Sequence, residues 1–534
     1  MKRTLLLLCL CICSWAVHAQ NYLSTNKNQS RNGSLSGYIM GTQLGVAGNA
    51  FDGEPNTEYE DASQKDQYID KRGWILPSNR GWVGLDLGKA FVINRIIYQG
   101  KVGTDLELGV FEGANRADFL DAVPLAMITS KSTDRTELSV SNTTGFRYVR
   151  YVGPTLFGKE NPDSSEEAKP FEEAKPFPKN CRISEIEFYG TEGTGVAKGT
   201  YKSAIYGNLP SVVIHTEMST AGYNTTIPYK GIDYLKGKGT FINADGTLNV
   251  NPSVDLEIRG RGNGSWGYDK KPYRLKLGSK LDPLGAGHKA KNWVLLSVHE
   301  DKTLVRNLLA FQLSRWMDMA YTADAKLVNL FVDGEYRGCY LFADHTEVYQ
   351  GKFELGGMNT WDNEDEPAFE DVPYLIEVDA YSFANRFSAD GKDTGWPPRK
   401  GMNDIPFNFW SRGGYELPIT VKYPKDDDLS TVAGSKVDRM YLINRPSNAV
   451  EVPASDQRNI DQPYVDDVGG LRDYFNLVEG AVKKDEDIAI YIDAWTFLSH
   501  FLIQEMTGNC DGYFSTYMHK HAGDSKFYFG PAWD

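Results

Sequence analysis

A chain of 534 residues with 41% hydrophobic and 24% charged side chains exceeds one ordinary core and divides into two to four domains at roughly 100–200 residues each. Its formal net charge of −14 sets it against a polyphosphate backbone and excludes nucleic acid as the main partner. Once Cys9, Cys11 and Cys13 of the N-terminal stretch are set aside, only Cys181, Cys339 and Cys510 remain, too few and too scattered for a disulfide framework or a zinc site.

The chain opens with MKRTLLLLCLCICSWAVHAQ, in which basic Lys2 and Arg3 precede an apolar run and small side chains stand at Val17 and Ala19. This is the pattern of a secretory signal peptide over residues 1–19, too short to span a bilayer. No small residue directly precedes Cys9, Cys11 or Cys13, so a lipid anchor is the weaker reading. No later stretch reaches the ~20 apolar residues of a transmembrane helix. The expected mature protein is secreted: extracellular, periplasmic or held at the cell surface.

Residues 21–192 read as short strands of period two, among them GWVGLDLGKAFVINRIIYQG, FRYVRYVGP and CRISEIEFYG, with Gly, Pro and Asn turns between them. No helical pattern interrupts them, and the expectation is an all-β jelly-roll sandwich. Together with AFDGEPNTEYED these phrases resemble the discoidin, or coagulation-factor type C, family. That resemblance implies an eight-stranded jelly roll with a glycan or lipid head group as ligand, and a calcium ion held near Asp52 and Thr57. Turn-forming Asp-Gly accounts for the same letters without a metal. The hexamer EEAKPF, at 166–171 and again at 172–177, reads as an expanded surface loop. Residues 193–204 read as a linker.

From 205 to 534 the texture becomes α+β. In DKTLVRNLLAFQLSRWMDM, the spacing of Leu304, Val305, Leu308, Leu309, Leu313 and Met317 predicts an amphipathic helix capped by Asp301. Asp333-Gly334 predicts a tight hairpin. DIAIYIDAWTFLSHFLIQEMTGN, apolar nearly all round, predicts a buried helix that starts after Asp487 and stops at Gly508-Asn509. In RGRGNGSWGYDKKPYRLKLG, glycines lead into a basic strand whose period of two puts Arg274 and Lys276 on one face; solvated lysines on an ordinary Gly-rich hairpin would give the same letters.

Asp511 follows the buried helix, and Asp534 ends the hairpin after it. A buried helix, a loop with an Asp that takes the acceptor proton, a hairpin, and an Asp that holds Mg²⁺ is the serial order of a protein-kinase site. Two ordinary turn aspartates fit the spacing as well. Thr516 stands where a kinase catalytic loop has Asn, and neither HRD nor DFG occurs.

The ordered phrases LEIRGRGNGSWGYDKKPYRLKLGSK, KNWVLLSVHEDKTLVRNLLAF, LFVDGEYRGCYLFADHTE, YLIEVD, GNCDGYFSTYMHK and FYFGPAWD resemble the CotH family, the spore-coat protein H kinases. The resemblance implies an atypical protein-kinase-like domain over 205–534 that uses ATP and Mg²⁺ to phosphorylate Ser of a protein acceptor. By position, Asp511 corresponds to the catalytic and metal-binding Asp and Asp534 to the second metal Asp. Arg261, Asn263, Lys271, Arg274 and Lys276 fall in the nucleotide-side segment, with Glu347 as partner of that lysine or of the metal. Family members continue past the WD pair with another acidic residue and further helices, so the domain is expected to be truncated at its C-terminus. Two rival readings stand beside the kinase: a non-catalytic surface adhesin or scaffold with a carbohydrate-binding jelly roll and a degenerate CotH-like domain, and a glycoside hydrolase built on the paired carboxylates.

Overall fold

The computed structural model describes residues 37–61, 81–153, 181–194, 208–217, 234–357, 367–379, 408–430, 437–444 and 469–533, apart from isolated positions within them, and three two-residue strands. The signal peptide, the EEAKPF tandem, most of the 193–204 linker, Asn263 and Asp534 lie outside the described residues. The chain forms two compact units: residues 1–229, 233–297 and 327–342, and residues 230–232, 298–326 and 343–534.

In the first unit, strands β1 (Tyr38–Gly41), β2 (Tyr59–Asp61), β3 (Trp82–Gln99), β4 (Val110–Ala114), β5 (Val123–Met127), β6 (Thr136–Ser139), β7 (Gly145–Val152), β8 (Cys181–Ile183) and β9 (Glu185–Glu192) build the sandwich. The long strand β3 organises it. Its first arm lies between β1 and β7 and its second between β6 and β9. The register slips between these arms, with Gly88 at φ 76°, and such a bulge bends one strand so that it serves two layers. Phe91, Phe111, Phe146, Tyr151 and Phe188 fill the core.

The same unit continues into a closed seven-stranded barrel of β10 (Ser211–Thr216), β11 (Leu235–Ile242), β12 (Val254–Gly260), β13 (Tyr273–Leu281), β14 (Ala290–Leu296), β15 (Ala325–Val332) and β16 (Glu335–Asp344), in the order β10-β11-β12-β13-β14-β16-β15. Asp333 and Gly334, at φ 50° and 75°, form the expected β15–β16 turn, the conformation Asp-Gly adopts most readily. Val213, Ile242 and Phe331 of the barrel belong to the sandwich core itself. Beside them Arg150 Nη2 meets Glu112 at 2.7 Å, the side chains being 3% and 0% exposed, and His215 Nε2 lies 3.0 Å from the Ala122 carbonyl.

The second unit holds α1 (Arg306–Trp316), β17 (Tyr374–Asp379), β18 (Asn408–Trp410), β19 (Pro418–Tyr423), α2 (Leu471–Lys483), α3 (Ala494–Thr507), β20 (Ser515–Lys520) and β21 (Tyr528–Phe529). The strands form one antiparallel sheet in the order β18-β19-β17-β20-β21. Tyr374, Ile376, Ile419, Val421 and Met518 share a core with Leu471, Tyr474, Phe475 and Val478 of α2. On the other face Glu377 pairs with Lys422 and accepts from Ser515 Oγ at 3.2 Å.

Two helix expectations need correction. Helix α1 starts at Arg306 and buries Phe311 and Leu313, leaving Val305 and Leu309 exposed. Asp301 still serves its start, because its carboxylate accepts the Arg306 N–H at 2.8 Å. Helix α3 starts after Asp493, whose carboxylate accepts from Thr496 N–H, while Asp487 caps only a short 3₁₀ turn. Nor is α3 buried all round: Thr496, Ser499, His500, Ile503, Gln504 and Thr507 are buried, whereas Trp495 is 61% and Met506 62% exposed. Two of its inward polar side chains, Thr496 and His500, meet main-chain groups of the segments packed against it.

Removing one member of a buried ion pair leaves the other uncompensated in low dielectric, which costs about 3–5 kcal/mol. Glu112→Gln is therefore expected to lower the stability of the first unit by that order in urea unfolding, whereas Glu112→Leu combined with Arg150→Met costs far less.

Candidate functional site

Helix α3 ends in Gly508 at φ 64°, a left-handed cap whose N–H bonds back to the last turn. The chain then turns through Asn509 and Cys510 into a 3₁₀ turn at Asp511–Tyr513. Polar side chains pin this turn on both sides of Asp511. Before it, Asn509 Nδ2 donates to Gln504 Oε1 at 2.8 Å, and the Asp511 N–H donates to Asn509 Oδ1 at 3.2 Å. After it, the Gly512 carbonyl accepts Thr516 Oγ1–H at 2.7 Å and lies 3.3 Å from His500 Nε2. A β-carbon on Gly512 would come within 2.2 Å of the Gln504 side chain, so the backbone lies flush against α3. The Asp511 carboxylate itself is exposed, and among the described residues no side chain pairs with it.

Strand β20 carries the chain from this turn through Gly523, at φ 82°, to β21 and onward to Trp533, whose ring stacks on Phe311 of α1 at 6.2 Å. His519 Nδ1–H donates to the Gly530 carbonyl at 3.1 Å, and Gly530 N–H donates to the Tyr517 carbonyl at 2.8 Å. Burial holds the His519 imidazole neutral, to a pKa of about 4. Lys520, also buried, donates to the carbonyls of Glu370, His521 and Asp524. The hairpin leading to position 534 is thus tied down by side chains; the convergence of Asp534 on Asp511 falls outside the described residues.

The glycine-rich hairpin joins β12 to β13 in the first unit. Arg261 N–H donates to the Pro272 carbonyl at 3.2 Å, and Gly262 takes φ 90°, where a β-carbon would strike Ser265. Leu256 and Ile258 of β12 and Tyr273, Leu275 and Leu277 of β13 are buried, and Arg274 and Lys276 share the opposite face as the period of two requires. Lys276 Nζ is 3.1 Å from Glu257. Arg274 stands directly across the strands from Arg259, whose guanidinium covers the Tyr234 ring at 4.3 Å. Like charges face to face disfavour a sheet, and among the described residues Arg274 has no partner to offset this. The backbone carbonyl of Lys271 accepts the Tyr340 hydroxyl at 2.9 Å. Glu347 lies half-buried just past β16 in the second unit. There Asp344, unnoticed in the sequence, pairs with Lys352 and accepts the Asp324 N–H at 2.8 Å.

In the sandwich, the Asp52 carboxylate accepts Thr57 Oγ1–H at 2.9 Å and the Glu54 N–H at 2.9 Å, which brings the two residues read from the sequence together. The structure adds Glu185, at the start of β9, a residue that no local motif marks. Burial and a hydrogen bond with Asp52 raise its carboxyl to a pKa of about 8. Two carboxyl groups in contact either share a proton or share a cation.

Residues 258–379 match the family model described as CotH kinase protein; the chain carries a CotH region. No curated protein matches the chain. Among solved structures it is similar to CBM62 from Clostridium thermocellum Xyl5A, with 33% identity over 30% of this chain and 97% of that one and a TM-score of 0.21. It is also similar to CBM32-3 from a family 31 glycoside hydrolase of Clostridium perfringens, with 16% identity over 29% of this chain and 88% of that one and a TM-score of 0.19. Among the described residues no helix is long and apolar enough to cross a membrane.

The unfolded chain protonates a histidine at its ordinary value of 6.5, but buried His519 resists protonation to about 4. Unfolding therefore takes up a proton between these values, and stability falls as pH drops through that window, by about 3 kcal/mol for this group. Urea unfolding between pH 7 and pH 4 should show this loss, and His519→Gln should shallow the slope.

Proposed function

We propose that this protein is a secreted CotH-type atypical protein kinase, with a kinase-like α+β domain and an N-terminal module that binds a glycan or cell-surface ligand. The observation that carries the reading is the Asp511 carboxylate: exposed, without a side-chain partner among the described residues, and mounted on a turn pinned on both sides. Exposed aspartates on loose turns are commonplace, whereas a fixed carboxylate left open is suited to receive a proton or a hard cation.

In the proposed reaction the acceptor seryl oxygen forms a bond to the γ-phosphorus of ATP, the bond from that phosphorus to the ADP oxygen breaks, and the seryl proton passes to Asp511. Arg274 is the first candidate cation for the nucleotide phosphates, since among the described residues it has no partner while Lys276 is engaged by Glu257. Arg261, Asn263 and Lys271 are the further candidates for the nucleotide, and Glu347 is the candidate partner for a lysine or a cation. Asp511 and Asp534 would hold Mg²⁺, which neutralises charge on the transferring phosphoryl group when bound. The oxygen donors and exposure of Asp511 fit that ion.

For the sandwich, the Asp52–Thr57–Glu185 oxygen set supports calcium. Tyr38, 75% exposed, lies across from Asp86, which forks with Arg147 at 2.8 and 2.9 Å. An open aromatic ring beside a charged fork suits a polyhydroxylated ligand.

Asp511→Asn should abolish ATP-dependent labelling of a protein acceptor, a loss of at least about 10³-fold, with an unchanged melting curve. Labelling at the wild-type rate would end the kinase reading and leave the adhesin, whose nucleotide-binding calorimetry shows no Mg²⁺-dependent heat. Separately, Ca²⁺ should raise the melting temperature of the first unit, with apparent affinity increasing as pH rises through about 8, where Glu185 gives up its proton; Asp52→Asn should remove the response. A melting curve indifferent to Ca²⁺ and EDTA alike would discard the calcium site.

A further inference from the structure

Helix α3 is inverted relative to an ordinary surface helix. Most of its apolar side chains, among them Trp495, Leu498, Phe501, Leu502 and Met506, are exposed, while beside Ile503 and Ser499 it buries Thr496, His500, Gln504 and Thr507. Burying polar groups is unfavourable unless their bonds are made, so the destinations of those bonds reveal what the inversion serves. Thr507 Oγ1 bonds back to the Ile503 carbonyl at 2.7 Å and is satisfied locally. Thr496 Oγ1 accepts the Phe529 N–H at 3.1 Å, holding β21. His500 and Gln504, one turn apart and 3.3 Å from each other, reach forward onto the turn that carries Asp511.

We propose that His500 and Gln504, with Thr516, are positioning residues that fix the Asp511 carboxylate for phosphoryl transfer. This rests on the kinase reading above and goes beyond it in assigning roles to residues that touch neither substrate nor metal. As the Nε2–H tautomer, His500 donates to the Gly512 carbonyl from one side while Thr516 Oγ1–H donates from the other. Gln504 holds Asn509 through its carbonyl oxygen, and Asn509 in turn receives the Asp511 N–H. The chain is thereby held at the second residue before Asp511, at Asp511 and at the residue after it. The remaining freedom of that side chain is its own two torsions. Burial lowers the His500 pKa, which keeps the neutral donor form present across physiological pH. A displacement of about 1 Å in a reacting group costs on the order of 10²-fold in rate.

The test uses the full chain with labelled ATP, Mg²⁺ and dephosphorylated casein as acceptor. Hydrogen exchange of residues 509–513 and Mn²⁺ binding followed by electron paramagnetic resonance supply readouts independent of turnover. His500→Ala and Thr516→Val are each expected to lower kcat by about 10²-fold with KM for ATP within about threefold, to speed exchange at 509–513, and to weaken Mn²⁺ binding. His500→Gln and Thr516→Ser, which keep a donor, should restore most of kcat, and Thr516→Ser should melt with the wild type. If Asp511→Asn is inactive while His500→Ala and Thr516→Val keep wild-type kcat, the positioning role is overturned and the kinase reading stands. Loss of rate that tracks a lowered melting temperature, with no rescue by the donor-retaining variants, overturns it as well. A wild-type chain with neither turnover nor Mn²⁺ binding removes the kinase reading, and the positioning role with it.

Discussion

Polar groups taken out of water must find partners, and in the second unit this requirement shapes the helix that precedes Asp511. A buried histidine, glutamine and threonine would each be a liability on α3 if they faced only aliphatic neighbours. They are tolerated because a turn and a hairpin present main-chain groups that the helix alone cannot supply: the Gly512 carbonyl to His500, the Phe529 N–H to Thr496. Once these bonds are made, the orientation of α3 about its axis is fixed. Tryptophan and methionine then face outward because the opposite face is already taken, although hydrophobicity alone would turn them in.

This explains which parts of the architecture can be read from residues in order and which cannot. Asp333-Gly334 sets its own turn, since the left-handed angles it needs are local properties of two residues; the left-handed end of α3 at Gly508 is legible for the same reason. The burial of α3 is not. A hydropathy pattern records how many apolar residues a helix has, but not that its minority of polar residues will be claimed by a loop folding back from the next segment. The start of α1 is misplaced along the chain for a related reason: Asp301 does accept a helical N–H, but from Arg306 across an intervening turn.

The candidate sites divide in the same way. Asp52 and Thr57 lie within one loop and meet because the loop is short, so their association is visible as a motif. Glu185 joins them only because β9 begins beside that loop, and no residue near it signals the fact. Asp511 stands out through what precedes it, a long helix with a glycine stop. The arginine opposition at the base of the glycine-rich hairpin is different again. Period two correctly puts Arg274 and Lys276 on one face, but the register that sets Arg259 against Arg274 depends on the hairpin length. Arg274 faces its like charge while Lys276 is matched by Glu257, which makes the hairpin end of the strand the electropositive one.

The first unit raises the question of how the sandwich is carried. A module on a flexible linker has its own closed core and shares few contacts with its neighbour. Here the core does not close at the sandwich: Val213, Ile242 and Phe331 of the barrel are packed within it, and the buried Glu112–Arg150 pair lies where His215 of β10 and the Asp333-Gly334 turn arrive. Buried charge is a poor source of stability, but it is selective about geometry, because a small displacement leaves it unpaired. Such a joint therefore resists sliding more than an apolar one of equal area. The sandwich and the barrel carrying the glycine-rich hairpin accordingly form one compact unit.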